Sequence, residues 1–122
     1  MPEGHSNTLA RILRLTAVLE AGTGIVAMVD PALLVKLLVG LDVSIDGTVL
    51  GTCFGVALLS FGLACWPGGG AGVDRRSPAA RAMLVYNALI AVYLTYAGTV
   101  LDLHGGLLWP AVVLHALVAL LL

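Results

Sequence analysis

Apolar residues form four long runs along this chain, and the polar residues are concentrated between those runs. The runs cover about 9–29, 48–66, 79–101 and 107–122. A helix needs roughly 20 apolar residues to cross about 30 Å of hydrocarbon, and the first three runs reach that length. None of the runs alternates between apolar and polar positions, as the strands of a membrane barrel would. The pattern predicts an all-α protein, an integral membrane four-helix bundle that forms a single domain over residues 1–122.

The segments between the runs carry helix start and stop signals. Asp30 followed by Pro31 is typical of an N-cap and the first turn of a helix, and Gly40 is typical of a helix end. The stretch from Pro31 to Val39 is too short to span a bilayer, so we expect a short interfacial helix after the first span. The other connections are short as well, including the glycine-rich segment 67–72. Sequential helices are therefore expected to be antiparallel neighbours.

The composition agrees with a membrane protein. Hydrophobic residues make up 60% of the chain and charged residues only 11%, and the mean hydropathy is +1.05. A soluble domain is nearer half apolar and a quarter charged, and a fold of 122 residues cannot hide so much apolar surface from water. The lipid bilayer is therefore the expected surrounding. Six Lys and Arg residues and a net charge of −1 provide no basic patch, which argues against a nucleic-acid partner.

The basic residues lie on one side of the predicted bundle. With four spans, both termini and the connection after the second span share a side, and that side carries Arg11, Arg14, Arg75, Arg76 and Arg81. The other side carries Lys36 alone. Cytoplasmic loops of membrane proteins are enriched in Lys and Arg. The charge distribution predicts a multi-pass protein of the cell inner membrane with both termini in the cytoplasm.

Small residues on the second span indicate close helix packing. Gly51 and Gly55 have the GxxxG spacing, and Gly62 lies two turns further along the same face. Helices in lipid associate through such residues because their apolar side chains gain little by leaving the lipid. Two interpretations of this face remain open, namely packing within one bundle and the seam of a homodimer.

Polar residues also occur at mid-depth, where insertion into lipid is unfavourable. Glu20 lies near the middle of the first span, and a carboxylate there costs roughly 2.5–3.5 kcal/mol on insertion scales. At a helical rise of about 1.5 Å per residue, His115 on the fourth span reaches a similar depth. Glu20 and His115 are therefore the acid–base candidates. The ligand-binding candidates near them are Thr16, Thr23, Tyr86, Asn87 and Tyr93.

This polar set has a structural and a functional interpretation. It forms either a hydrogen-bonded network that holds the bundle together, or a small binding pocket or proton-linked site, because Glu and His at one level can exchange protons. No metal or haem site is indicated, since His5 and His104 are predicted on opposite sides of the membrane and away from His115. There is no CxxC motif either. The sequence assigns no cofactor.

Several short phrases resemble a known group of membrane proteins. They are the segment 62–66 (Gly-Leu-Ala-Cys-Trp), the pair Tyr86-Asn87, and Trp109-Pro110 followed by His115. With the four short helices and the basic inner side, the chain resembles the small bacterial DoxX-like and related four-helix membrane proteins. That resemblance implies membrane redox and quinone chemistry, or the assembly of partner complexes. It transfers no catalytic residue to this chain.

Three functions follow from these patterns. The leading expectation is a polytopic membrane protein that binds a small apolar ligand, or a partner membrane protein, through a polar site inside the bundle. The first alternative is a membrane redox or quinone-linked enzyme, or an accessory to one, with a Glu/His proton relay. The second is an oligomeric proton-coupled transporter, since four helices are few for a monomer with alternating access.

Overall fold

The computed structural model describes residues 3–68 and 73–122, and these residues contain five α-helices. The glycine-rich segment predicted at 67–72 lies largely outside the described residues. The prediction of an all-helical fold is confirmed for the part of the chain that is described. The helices are α1 (Glu3–Val29), α2 (Pro31–Val39), α3 (Ile45–Ala64), α4 (Pro78–Thr99) and α5 (Leu108–Leu121).

The predicted caps start and stop α2 as expected. The Asp30 side chain accepts a hydrogen bond from the Leu33 amide at 2.9 Å, and Pro31 occupies the first turn. Gly40 ends the helix in the left-handed conformation at a φ of 78°, which a glycine adopts without strain. The Leu107 amide donates to the carbonyl of Leu37 at 2.8 Å, so the connection before α5 holds the end of α2 in place.

Helix α1 packs along α3, and the two backbones approach closely. A β-carbon added at Gly55 would lie 2.7 Å from the Gly24 carbonyl oxygen, and one at Gly62 would lie 2.8 Å from the Ala17 carbonyl oxygen. Residues later in α3 therefore contact residues earlier in α1, so the two helices are antiparallel. Gly51 continues the same face, where it contacts Pro31 at the start of α2.

Helices α4 and α5 form the second pair. Gly98 lies against Leu108 near the connection, and Asn87 meets His115 further down, so this pair is antiparallel too. Helices α3 and α4 meet through side chains, with the ring centres of Phe61 and Tyr86 5.1 Å apart, but their backbones do not approach as closely as those of α1 and α3. The expectation that sequential helices are antiparallel neighbours stays a prediction for this pair. The glycine face of α3 is filled by α1.

The two pairs join at one end of the molecule. Buried residues of α1, α4 and α5 form an apolar cluster there with Cys65, which follows α3: Leu9, Leu13 and Ala17 of α1, Ala80 and Met83 of α4, and Val118 of α5 with Leu122. Phe61 of α3 packs against this cluster. This cluster lies at the end that carries the N-termini of α1 and α4. It closes the bundle at that end.

The outward faces of the helices are apolar, as a lipid surrounding requires. Leu15, Leu89 and Leu120 are examples of large side chains that are mostly exposed. Three segments are long and apolar enough to cross a membrane, namely Asn7–Val29, Ile45–Ala64 and Pro78–Thr99. The fourth predicted run forms a helix of 14 residues, which is about 21 Å long and shorter than a full span.

Candidate functional site

A layer of polar side chains lies directly above the apolar end cluster. Glu20 of α1 is 3% exposed and Asn87 of α4 is 1% exposed, and His115 of α5 is half-buried beside them. Glu20 and Asn87 follow the cluster residues of their helices by about one turn, and His115 precedes Val118 of α5 by about one turn. Three helices therefore deliver their polar residues to one level, and the structure brings together the predicted Glu20, Asn87 and His115.

Hydrogen bonds to Asn87 determine which nitrogen of His115 carries a proton. The Asn87 amide nitrogen Nδ2 donates to the Met83 carbonyl at 2.8 Å, which turns the amide oxygen Oδ1 towards His115. That oxygen lies 2.7 Å from Nδ1 of His115. An amide oxygen only accepts hydrogen bonds, so Nδ1 is the protonated nitrogen in this arrangement. Nε2 is then the nitrogen of His115 that gains or loses a proton.

The Glu20 carboxylate has two partners at this level. Its Oε1 lies 3.9 Å from Nδ1 of His115, which is ion-pair range when the imidazole is charged and is too long for a hydrogen bond. The Tyr86 hydroxyl is within hydrogen-bonding reach of the carboxylate. Every buried side-chain nitrogen or oxygen among the described residues has a hydrogen-bond partner. Asn87 and His115 are therefore paired with each other inside the polar layer.

Aromatic contacts orient the side chains around Glu20. The Tyr86 ring meets His115 edge to face, with the ring centres 5.9 Å apart. On its other side it meets Phe61 of α3 at 5.1 Å, with the rings tilted by 46°. Such geometries are the favoured ones for aromatic pairs. Tyr86 is therefore held between α3 and α5, with its hydroxyl near Glu20.

A cavity of about 310 Å³ extends from the polar layer away from the end cluster. Glu20, Thr23, Tyr86 and His115 are its polar lining residues. All five helices contribute to its apolar walls, with Leu19 of α1, Leu34 and Leu38 of α2, Phe54 and Leu58 of α3, Ile90 and Leu94 of α4, and Pro110, Ala111 and Leu114 of α5, together with Leu107. The site combines a mostly apolar chamber with a small number of convergent polar groups, which is typical of small-molecule sites.

The remaining predicted ligand-binding residues are distributed differently. Thr23 lines the cavity, but its hydroxyl donates to the Leu19 carbonyl of its own helix at 2.8 Å. Thr16 is buried below the polar layer and donates to the Ile12 carbonyl, also at 2.8 Å. Both hydroxyl hydrogens are therefore already donated within α1, and only the oxygens can still accept a hydrogen bond.

Tyr93 does not join the site, because its side chain is 58% exposed on the outside of α4. It lies seven residues after Tyr86, and a straight helix drifts about 20° over seven residues. That drift carries Tyr93 further from the buried face of α4. At the level of Tyr93, the inward side of α4 also faces the cavity through Ile90 and Leu94, and not a closely packed helix.

The glycines predicted as a possible homodimer seam are already in contact with other helices of the same chain. Gly55 and Gly62 contact the α1 backbone, and Gly51 contacts Pro31. A second copy would have to displace α1 to use the same face. The face therefore holds the monomer together in this structure.

The sequence interpretation missed the contribution of α2 to the site. Leu34 and Leu38 line the cavity, whereas α2 was expected only at the membrane surface. The side chains of α2 itself are apolar on nearly every side of the helix, so its sequence contains no periodic signal that would identify an inward face. The contacts with the connection before α5 decide how it is turned.

Metal binding has no support among the described residues, in which no group of three or more His, Cys, Asp or Glu side chains converges. Cys53 is exposed and Cys65 is buried in the end cluster, and both are free thiols. The chemistry available at the site is therefore proton exchange by Glu20, Tyr86 and His115, together with binding in an apolar chamber.

Comparison with known proteins provides no assignment. No protein-family model matches the chain, and no curated protein or solved structure is similar to it. The resemblance to DoxX-like proteins therefore remains an expectation from the sequence. The arguments for a function come from the geometry of the site.

Proposed function

We propose that this chain is a small polytopic membrane protein that binds a small, mostly apolar ligand inside its helix bundle. The observation that supports this proposal most is the cavity of about 310 Å³, whose walls come from all five helices. Its volume equals that of about ten water molecules at roughly 30 Å³ each, so it suits a ring with short substituents. The ligand's polar group would lie at Glu20, Tyr86 and His115.

Several cavity-lining residues are also exposed on the outside of the bundle. These include Phe54 of α3 and Leu114 of α5, two helices that make at most marginal contact. An opening bordered by apolar residues at bilayer depth favours a ligand dissolved in the membrane. Entry between α3 and α5 is therefore part of the proposal.

Native mass spectrometry of the protein, extracted gently from its own membrane, tests ligand retention. We expect an additional mass on the wild-type chain and on Val113→Phe, whose site faces outward from α5. The same mass should be absent from Ala111→Phe, which fills the cavity from the same helix. A bare chain mass in all three proteins would contradict the proposal.

The proton-exchanging groups favour a second candidate function, which is a membrane redox enzyme or its accessory with a Glu20/His115 relay. Both side chains line the cavity, so both would reach a bound substrate. The optical spectrum of the purified protein tests this candidate. A retained chromophore that bleaches on reduction would support it, and a spectrum of Trp and Tyr alone would oppose a bound redox cofactor.

We also propose the inner membrane, with both chain termini in the cytoplasm. The arrangement of the helices supports this orientation, because Arg11, Arg14 and Arg81 lie towards the closed end of the bundle, whereas Lys36 lies on α2 beyond the cavity. A reporter enzyme fused to the C-terminus tests the orientation. Activity of a reporter that works only in the cytoplasm is the expected result.

A further inference from the structure

We propose that the ligand of this cavity is a lipophilic cation, an organic ammonium with an apolar body, and that its binding at Glu20 releases one proton. This inference rests on the proposed binding function and specifies the class of ligand. It follows from the charges at the cavity, from the hydrogen bonds already made there, and from the aromatic residues in the lining.

The charge of the cavity favours a cation. Among the residues that the structure describes, Glu20 is the one carboxylate in the lining, and no Lys or Arg side chain lines the cavity. An anionic ligand would place a second negative charge beside Glu20 in surroundings where charge repulsion is poorly screened. A cationic ligand instead supplies a counter-charge to a carboxylate that is buried inside the bundle.

The existing hydrogen bonds leave Glu20 as the main group for the polar end of a ligand. The Asn87 amide is engaged by Met83 and His115, and the Thr23 hydroxyl donates to its own helix. Nε2 of His115 can accept a hydrogen bond from a neutral ligand, whereas Glu20 can take a full counter-charge. An ammonium ion interacts with Glu20 through charge, so it leaves the bonds of the polar layer in place.

The aromatic lining fits the same type of head group. Tyr86 and Phe54 both line the cavity, and aromatic faces attract cations, most effectively when the cation has lost its water. A quaternary or otherwise alkylated ammonium suits this chamber best, because its weak hydration lowers the cost of leaving water. The apolar walls then accept the rest of the molecule.

Proton release follows from the balance of charge. The titratable groups that face Glu20 are Tyr86 from α4, His115 from α5, and Cys65 beyond the end of α3. The cavity residues of α2 are apolar. Without a ligand, the carboxylate is neutralised by one proton, held either by Glu20 itself or by Nε2 of His115. A bound cation takes over that role, so one proton leaves whichever group held it.

A matched pair of probes tests the inference. Benzyltrimethylammonium carries a permanent charge, and neopentylbenzene has the same shape without charge. We would measure binding of both by titration calorimetry in micelles, with the heat observed for Ala111→Phe subtracted to remove partitioning. The cation is expected to bind more tightly than the neutral probe. Its affinity should rise about tenfold per pH unit until the shared proton is lost, and should be constant above that pH.

Two variants locate the effect. Glu20→Gln should weaken cation binding at least tenfold and leave the neutral probe unaffected, which also reports that the variant is folded. Asp46→Asn removes the same charge from the exposed first turn of α3, and it should bind both probes like the wild type.

The outcomes separate the two proposals. If both probes bind equally well and Glu20→Gln changes neither, the cation inference is wrong and the binding function stands. If neither probe shows binding that Ala111→Phe abolishes, both proposals are wrong. Cation binding without proton release would also overturn the inference.

Discussion

The two sides of α1 show how one helix serves two purposes. Towards α3 it presents Ala17 and Gly24, and the backbones of the two helices touch. Towards α4 and α5 it presents Glu20 and Thr23, and a cavity separates the helices there. Small residues let helices in lipid approach closely, although the hydrophobic effect contributes little to their association there. The larger and polar residues on the neighbouring face of α1 keep the helices apart, which leaves room for the cavity.

The two faces of α1 therefore belong to two regions with different roles. The seam is the close contact between α1 and α3, and the interior is the space between the two helix pairs. The seam makes the structural unit on which the site is built. The interior contains the buried polar groups, which membrane proteins retain mostly for function. Substitutions on the two sides should therefore affect different measurements.

The largest effect is expected at the seam. Gly24→Ala would place a β-carbon 2.6 Å from the Leu59 amide nitrogen and 2.8 Å from the Gly55 carbonyl oxygen, so the two backbones must separate. We expect a loss of about 1–3 kcal/mol in the free energy of unfolding, measured in mixed micelles with a denaturing detergent.

Gly22 provides the matched control for this substitution on the same helix. A β-carbon added at Gly22 meets no atom within 4 Å. Alanine is the better helix former, so Gly22→Ala should be neutral or should stabilise by up to about 1 kcal/mol. Equal destabilisation by Gly22→Ala and Gly24→Ala would show that the seam is not the cause.

The next largest effect is expected in the polar layer. A double-mutant cycle with Asn87→Leu and His115→Phe removes the 2.7 Å hydrogen bond between the two helices. Interhelical hydrogen bonds in membranes contribute about 0.6 kcal/mol on average and about 1.7 kcal/mol at most. The coupling energy in the same unfolding assay should fall in that range. Strict additivity of the two substitutions would contradict the observed hydrogen bond.

A smaller effect is expected at Gly98, where α4 meets α5. A β-carbon there would lie 2.7 Å from the Leu108 Cδ2 atom, which ends a flexible side chain and does not belong to the backbone. The leucine can rotate away, so Gly98→Ala should destabilise by less than about 1 kcal/mol. A loss as large as that of Gly24→Ala would show that the second helix pair is packed as rigidly as the first.

The smallest effect distinguishes two tyrosines of α4. Tyr86→Phe removes the hydroxyl near Glu20 and should cost about 0.6 kcal/mol, the average for such a bond. Tyr93→Phe removes a hydroxyl from an exposed ring and should leave the free energy of unfolding unchanged. A larger loss for Tyr93→Phe would place that residue inside the bundle, contrary to its observed exposure.

Local sequence signals predicted the helices and their ends well. Asp30 caps α2 through a hydrogen bond from the amide three residues later, as that residue type does in general. The depth of Glu20 and His115 followed from the constant rise of a helix. Signals of this kind act over a few residues, so a single sequence contains them.

What the sequence determined by itself was the all-helical fold, the apolar surface and the level at which the polar residues lie. Only the tertiary structure decided that α3 packs its glycine face on α1, that Tyr93 turns outward, and that α2 lines a cavity. In lipid, apolar residues are favourable on every outward face, so hydrophobicity does not specify which faces meet. The close backbone contacts at Gly24, Gly55 and Gly62 make that choice, and they exist only once the helices are assembled.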